Sequence, residues 1–352
     1  MKTHTQNFTN LKNSQVVKNI LKGAISLSIA ISLGSCISDN DYDTTDLKPD
    51  GIALNERFLE NRNETAEQFT LDATLGGTIT GTKGTKVEFQ PKSFGINGVP
   101  VTGNVTVTLI EIYDRASMLL NNRSTMGQKD DGDKAVLKSA GEFFVDAKKG
   151  TTALDLLLPA KITSKEVAMA DFDGDMKIFR TGGGIDNNCD GIDDNCDWVA
   201  ADENGDGQQD EPEIQDGKGD AGGVIFYGFD ISSFGWTNLD RWYSYSGPKT
   251  QLYVDVPEGF NGTNCAVFLS YDGEPTALAK MDVFDSGLQL FTEHYGQIPV
   301  GQQVHIIMVA EIGGQLNYAI KATTITNNHT EVISSLSPTT QAALATLINA
   351  LP

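Results

Sequence analysis

Residues 101–113 read VTGNVTVTLIEIY, with Val105, Val107 and Leu109 alternating against Thr106, Thr108 and Ile110. Successive side chains of a strand point to opposite faces, so this period of two commits the segment to a sheet, and its β-branched residues suit a pleated surface. The same kind of short apolar run recurs along the chain as GTKVEF, GEFFVDA, LDLLLP, QLYVDVP, AVFLSYDG, VHIIMVAEIGG and LNYAIKATTIT. Each is bounded by Gly, Pro, Asn or Asp, the residues that turn a chain back on itself. Many short strands separated by turns predict antiparallel sandwiches. Two segments read as helix instead. One covers residues 55–69. The other is C-terminal, where Ser337 is placed to cap, Pro338 fits the first turn, and Leu344, Leu347, Ile348 and Leu351 form one apolar stripe suited to docking on a sheet. The expected fold is mainly β: two β-sandwich-like domains, an insertion between residues 182 and 222, and a short C-terminal helix.

The N-terminus addresses the compartment. Lys2, Lys12, Lys18 and Lys22 precede an apolar run over residues 25–33, a length that suits a signal peptide and falls short of a membrane-spanning helix. The run closes on Leu33, Gly34, Ser35 and Cys36, the small residues and cysteine that a lipoprotein signal peptidase requires. Cys36 is therefore the expected lipidation site, residues 1–35 the signal peptide, and residues 36–70 a lipidated tether with a short helix. The alternative is an ordinary secreted protein. The acidic stretch ISDNDYD after Cys36 resembles the tag of surface-exposed lipoproteins of Bacteroidota, which implies an outer-membrane lipoprotein facing outward.

The formal net charge of the 352-residue chain is −21. Removing the lysine-bearing signal segment makes it more acidic still. Such a surface repels phosphates, which argues against nucleic acid and against contact with anionic membrane beyond the lipid itself. It favours cations. Residues 186–220 hold thirteen acids and a single base, Lys218. Carboxylates at that density repel one another and stay folded only if a cation neutralises them.

The spacing names calcium as the cofactor. Asp202, Asn204, Asp206, Gly207, Gln208, Asp210 and Glu213 fall at positions 1, 3, 5, 6, 7, 9 and 12 of a calcium loop. Oxygen ligands there wrap the ion, the glycine permits the sharp turn, Gln208 offers its carbonyl, and Glu213 is placed to close the shell. Asp186, Asn188, Asp190, Gly191, Ile192, Asp194 and Asp197 repeat the register sixteen residues upstream. Position 8 holds Asp193 and Gln209 where EF-hands carry an aliphatic residue, and Pro212 with nearby glycines breaks flanking helices. The tandem resembles the EF-hand-like calcium loops of thrombospondin type 3 repeats or dockerins. The alternative is an acidic disordered linker. Cys189 and Cys196 lie within the first loop and are candidates for a small disulfide, which would contribute about 2.5 kcal/mol by chain entropy. Cys265, inside an apolar run, reads as a buried thiol.

LGGTITGTKGTKVEFQPKSFGINGVPVTGNVTVTLIEIYD resembles the β-domain shared by zonula occludens proteins, netrin receptors and ankyrins. The matching positions are Gly76, Gly77, Val87, Phe89, Pro91, Phe94, Gly98, Val101, Gly103, Asn104 and Val105, continuing through Glu111, Met118 and GEFFVDA. The resemblance covers residues 71–160. It implies a non-enzymatic surface module for assembly or adhesion, followed by a second β-region to which FGWTNLDRWY is similar. The second domain is then expected over residues 161–335, with the helix in residues 336–352.

No nucleophile elbow, His-Glu-x-x-His pair or phosphate-cradling glycine loop is present in the sequence. The expected function is therefore a structural or adhesive calcium-binding lipoprotein, not an enzyme, meeting a cell-surface protein or glycan. An alternative is a glycan- or nutrient-binding lipoprotein of an uptake system. Trp236, Trp242, Tyr243 and Tyr245 form the candidate ligand surface for it, unless these aromatics simply pack the core and Asp240 pairs with Arg241 or caps a turn.

Overall fold

The alternation at residues 105–110 forms the strand Asn104–Ile112 in the computed structural model, which describes residues 48–181, 197–217, 223–293 and 296–352. Val105, Val107 and Leu109 are buried in a first core. The opposite face starts with hydroxyls at Thr106 and Thr108 and turns apolar at Ile110 and Ile112, which enter a different core. One strand thus records where its sheet is open and where it is covered.

The protein is mainly β. In the first sandwich, an eight-stranded sheet contains Asn104–Ile112, the long strand Lys134–Lys149, Gly235–Trp242 and Lys177–Thr181 side by side. Facing it across the first core is a six-stranded sheet that includes Lys86–Phe89, Ala160–Thr163 and Val224–Ile231. The second sandwich pairs a five-stranded sheet, centred on Cys265–Tyr271 and Gln303–Ile312, with a four-stranded sheet around Leu252–Asp255. Cys265–Tyr271 is buried along its whole length, as a strand covered on both faces must be.

The division expected at residue 160 is displaced. Ala160–Thr163 pairs with Lys86–Phe89, and Gly235–Trp242 pairs with Lys134–Lys149, so both belong to the first sandwich. FGWTNLDRWY is a central strand of the first sheet rather than a segment of a second domain. The strands from Lys249–Thr250 onward build the second sandwich.

A third core joins the two. Ile110, Ile112, Leu137, Phe179, Trp198 and Trp236 of the first sheet meet Ala266, Phe268, Ile307 and Val309 of the second sandwich. Three helices among the described residues contribute to this layer: α1 (Gly51–Thr65) through Leu54 and Phe58, α2 (Arg115–Leu120) through Met118 and Leu119, and α3 (Gln341–Asn349) through Leu344 and Ile348. Asp46–Pro352 is accordingly one compact unit.

Local capping shifts the helix bounds from those expected. The carboxylate of Asp50 accepts from Ala53 N–H at 3.0 Å and starts α1 there, while Phe69 lies in the strand Glu67–Asp72. At the C-terminus Thr340, not Ser337, is the cap, accepting from Ala343 N–H at 3.2 Å. Ser337–Pro338 is instead paired with Tyr318 and Asn317 as an edge strand, where proline's missing N–H is tolerated. The helix α2 was not expected from sequence; Asp114 caps it through Ser117 N–H at 2.9 Å.

Cys265 is a buried free thiol whose Sγ–H donates to Asn261 O at 3.2 Å. Burial pushes it up to about 12, so almost no thiolate exists near neutrality. In a Cys189→Ser, Cys196→Ser variant of residues 37–352, a maleimide at pH 7.5 is expected to leave Cys265 unmodified until denaturant is added. Modification of the native protein within minutes would contradict this burial.

Candidate calcium loop and its surroundings

Residues 202–210 form a tight loop in which side-chain oxygens serve the loop's own backbone. Asp202 accepts from Asp206 N–H through Oδ1 at 3.0 Å and from Gly207 N–H through Oδ2 at 2.9 Å. Asn204 Oδ1 also accepts from Asp206 N–H, and Asp206 Oδ1 from Gln208 N–H, both at 2.9 Å. Short polar side chains adopt such turns readily because they reach N–H groups two to five residues on. Gly207 holds φ +82°, the left-handed region that the sixth position of a calcium loop demands. The side-chain oxygens of positions 1, 3 and 5 thus all accept from backbone N–H groups of one turn.

Positions 9 and 12 have other partners. Asp210 Oδ1 accepts from Asn204 Nδ2 at 2.9 Å, and its other oxygen takes the Glu203 N–H. Glu213 lies on the strand Glu213–Gly217, and its carboxylate holds Lys161 Nζ at 2.5 Å. Lys161 keeps the Glu213 carboxyl below its usual range. The expected closing ligand is thus engaged by a lysine. Gln208, expected to offer its carbonyl, donates its N–H to Asp206 Oδ1. Among the described residues no three His, Cys, Asp or Glu side chains gather into a metal cluster.

The loop is fixed to the edge of the first sandwich. Asp210 N–H donates to Ala201 O and Asp210 O accepts from Ile178 N–H, each at 2.9 Å. Glu203 pairs with Arg180 at 3.0 Å and accepts from Ser232 N–H at 2.8 Å. Glu203, Asp210, Glu211, Glu213 and Asp230 then line an acidic cleft of about 330 Å³, with Lys161 as its cation.

Of the upstream loop, Asp186, Asn188, Asp190, Ile192 and Asp194 lie outside the described residues, as do Cys189, Cys196 and Cys36. Asp197, its last position, is described. Asp197 Oδ2 binds Lys134 Nζ at 2.7 Å, and the same ammonium meets Asp282 Oδ2 at 2.9 Å.

The four aromatics of the candidate ligand surface are not brought together. Trp236 is buried to 7% exposure in the third core. Trp242 lies six positions further along the same strand, about 20 Å away at the rise of an extended chain, where it meets Phe179 edge-on. Tyr243 packs on Tyr271, and the Tyr245 hydroxyl donates to Val300 O at 3.1 Å. Asp240 does not pair with Arg241. It is buried and accepts from Asn238 Nδ2 at 2.6 Å, whereas Arg241 pairs with Asp173.

A buried polar group escaped sequence reasoning. The fully buried Arg123 guanidinium lies 4.4 Å from the Trp198 ring centre and 4.3 Å from that of Trp236, between the two indoles. Burial pushes the Glu142 carboxyl well above its usual range, against the pull of Arg123, and pushes Asp240 up as well. Arg123, Glu142 and Asp240 are too far apart in sequence, and too ordinary in their local contexts, to be linked by any motif.

A scan against models of known protein families and a search of curated proteins both find no match for this chain. The likeness to the zonula-occludens-type β-domain therefore rests on the residues quoted above.

Proposed function

We propose that this protein is a calcium-stabilised lipoprotein of the outer membrane, held by lipid on Cys36 and exposed at the surface as a structural or adhesive module. The observation that carries the reading is the turn at residues 202–208, where Asp202, Asn204 and Asp206 fold their oxygens inward around a left-handed Gly207. Calcium would neutralise Asp202 and Asp206, whose carboxylates accept from N–H groups of the loop. Displacing backbone N–H bonds by an ion at Asp202 and Asp206 would rigidify the loop, and Arg180–Glu203 would carry that rigidity into the first sheet. The zonula-occludens-type resemblance supports the non-enzymatic part of the reading.

Extracellular calcium modules bind at about 10⁻⁴ to 10⁻³ M. At a hundredfold excess over the dissociation constant, the ion would add about 2.7 kcal/mol to stability. Calorimetric titration of residues 37–352 with calcium is expected to show saturable binding of about two ions, with a rise in Tm. Asp206→Ala is expected to lose one binding event, and Asp190→Ala with Asp206→Ala both. An unchanged Tm and no heat at 10 mM calcium would overturn the proposal and leave a solvated acidic edge.

A further inference from the structure

The outer face of the first sheet is covered by the second sandwich over only part of its width. Past α1 it opens into a cleft of about 690 Å³, within the range of small-ligand sites. The pleat sets its floor in rows across three adjacent strands. Ile110 is opposite Phe144 and Phe144 is opposite Trp236, a row in which Ile110 and Trp236 are buried and Phe144 is half-buried. The Phe144 and Trp236 rings are 5.3 Å apart and inclined at 49°. In the next row Thr108 is opposite Asp146, and beyond it Thr106 is opposite Lys148. Asp146 and Lys148 are 3.7 Å apart, with the Lys148 side chain half-exposed.

We propose that this cleft binds a short oligosaccharide of hexopyranose units. A pyranose has an apolar face of C–H groups and an equatorial rim of hydroxyls, and the floor presents the complementary pattern: the half-buried Phe144 ring for the face, then a hydroxyl–carboxylate row and an ammonium for the rim. The other occupants fit less well. Asn104–Ile112, Lys134–Lys149 and Gly235–Trp242 lie inside the sheet, each with a strand on either side over most of its length, so the floor is a sheet face and not a long free edge for an extended peptide. An amphipathic helix seeks a continuous apolar groove, and the apolar part here is one row wide. The cleft's charges, Arg62 and Lys148 against Asp146, differ in sign from the strongly acidic chain as a whole and would not repel a neutral or singly anionic sugar. The site shares no residue with the calcium loop, so it stands or falls separately from the calcium reading.

The test is affinity electrophoresis of residues 37–352 through gels containing a panel of plant, mucin and bacterial polysaccharides, followed by calorimetry with oligosaccharides cut from any that retards the protein. Retardation is expected, with binding weakened at least tenfold by Asp146→Ala and by Phe144→Ala. Phe144 is half-buried, so Asp146→Ala and Lys148→Ala, at the accessible rim, keep the test valid should Phe144→Ala fold poorly. Binding is expected to persist in EDTA and in Asp206→Ala. No retardation on any polysaccharide, or binding unaffected by both rim variants, overturns the proposal.

Discussion

Replacing Arg123 by Met is expected to cost about 4 kcal/mol of folding stability, because it removes two desolvated cation–π contacts of about 2 kcal/mol each. The guanidinium has no exposure and sits between Trp198 and Trp236, both of which knit the two sandwiches together in the third core. Desolvated cation–π contacts of this kind contribute about 2 kcal/mol or more. Without Arg123, Glu142 and Asp240 remain buried as carboxyl groups. Burial raises both above their unfolded values. A raised carboxyl group favours the folded state below its unfolded pKa, and that advantage is lost as pH rises through the folded one. The deficit of Arg123→Met should therefore be larger at pH 8 than at pH 5. Adding Glu142→Gln should recover part of it at pH 8 and little at pH 5. Urea unfolding at the two pH values measures both effects, and a deficit under 1 kcal/mol at pH 8 would show that the stack carries no weight.

Lys134→Met should be the second most damaging change described here. Lys134 Nζ bridges Asp197 and Asp282 at 2.7 and 2.9 Å, and all three side chains are largely buried. The lysine begins the strand Lys134–Lys149 of the first sandwich, whereas Asp282 follows Leu278–Lys280 of the second. Burial disfavours the ammonium, but Asp197 and then Asp282 outweigh it and raise the group above its ordinary value. Stability from a raised lysine is complete below its unfolded pKa and is lost only as pH climbs through the folded one, so it is fully present at neutrality. The variant leaves two carboxylates facing each other, at a cost of about 3–5 kcal/mol. Calorimetry at pH 7 tests it; a Tm equal to the parent's would contradict the bridge.

Much of the β-structure was legible because its causes are local. Val105, Val107 and Leu109 alternate with threonines, and residues 265–269 and 306–310 are apolar without interruption; the strands form where those patterns stand. The turn at residues 202–208 was legible for the same reason, since Asp202, Asn204 and Asp206 bond N–H groups no more than five residues away. Glu213 was not. Its partner Lys161 lies 52 residues upstream, on the far side of the strand Val224–Ile231, and no spacing rule reaches that far. Ser337 and Thr340 were equivalent as caps in sequence, and the edge of the strand Gln315–Thr324 took the first into a sheet and left the second to start α3.

By itself, the sequence determined the elements: alternating residues chose strands, short acidic and amide side chains chose the turn, and Cys265 was committed to a core. Tertiary structure alone decided which strands became neighbours. Pairing Thr237 with Phe143 placed FGWTNLDRWY in the first sandwich, separated Trp236 from Trp242, and enclosed Arg123 between two indoles. Backbone preference acts over a few residues, whereas the apolar area that selects sheet neighbours is buried only when distant segments meet, so their pairing leaves no local trace.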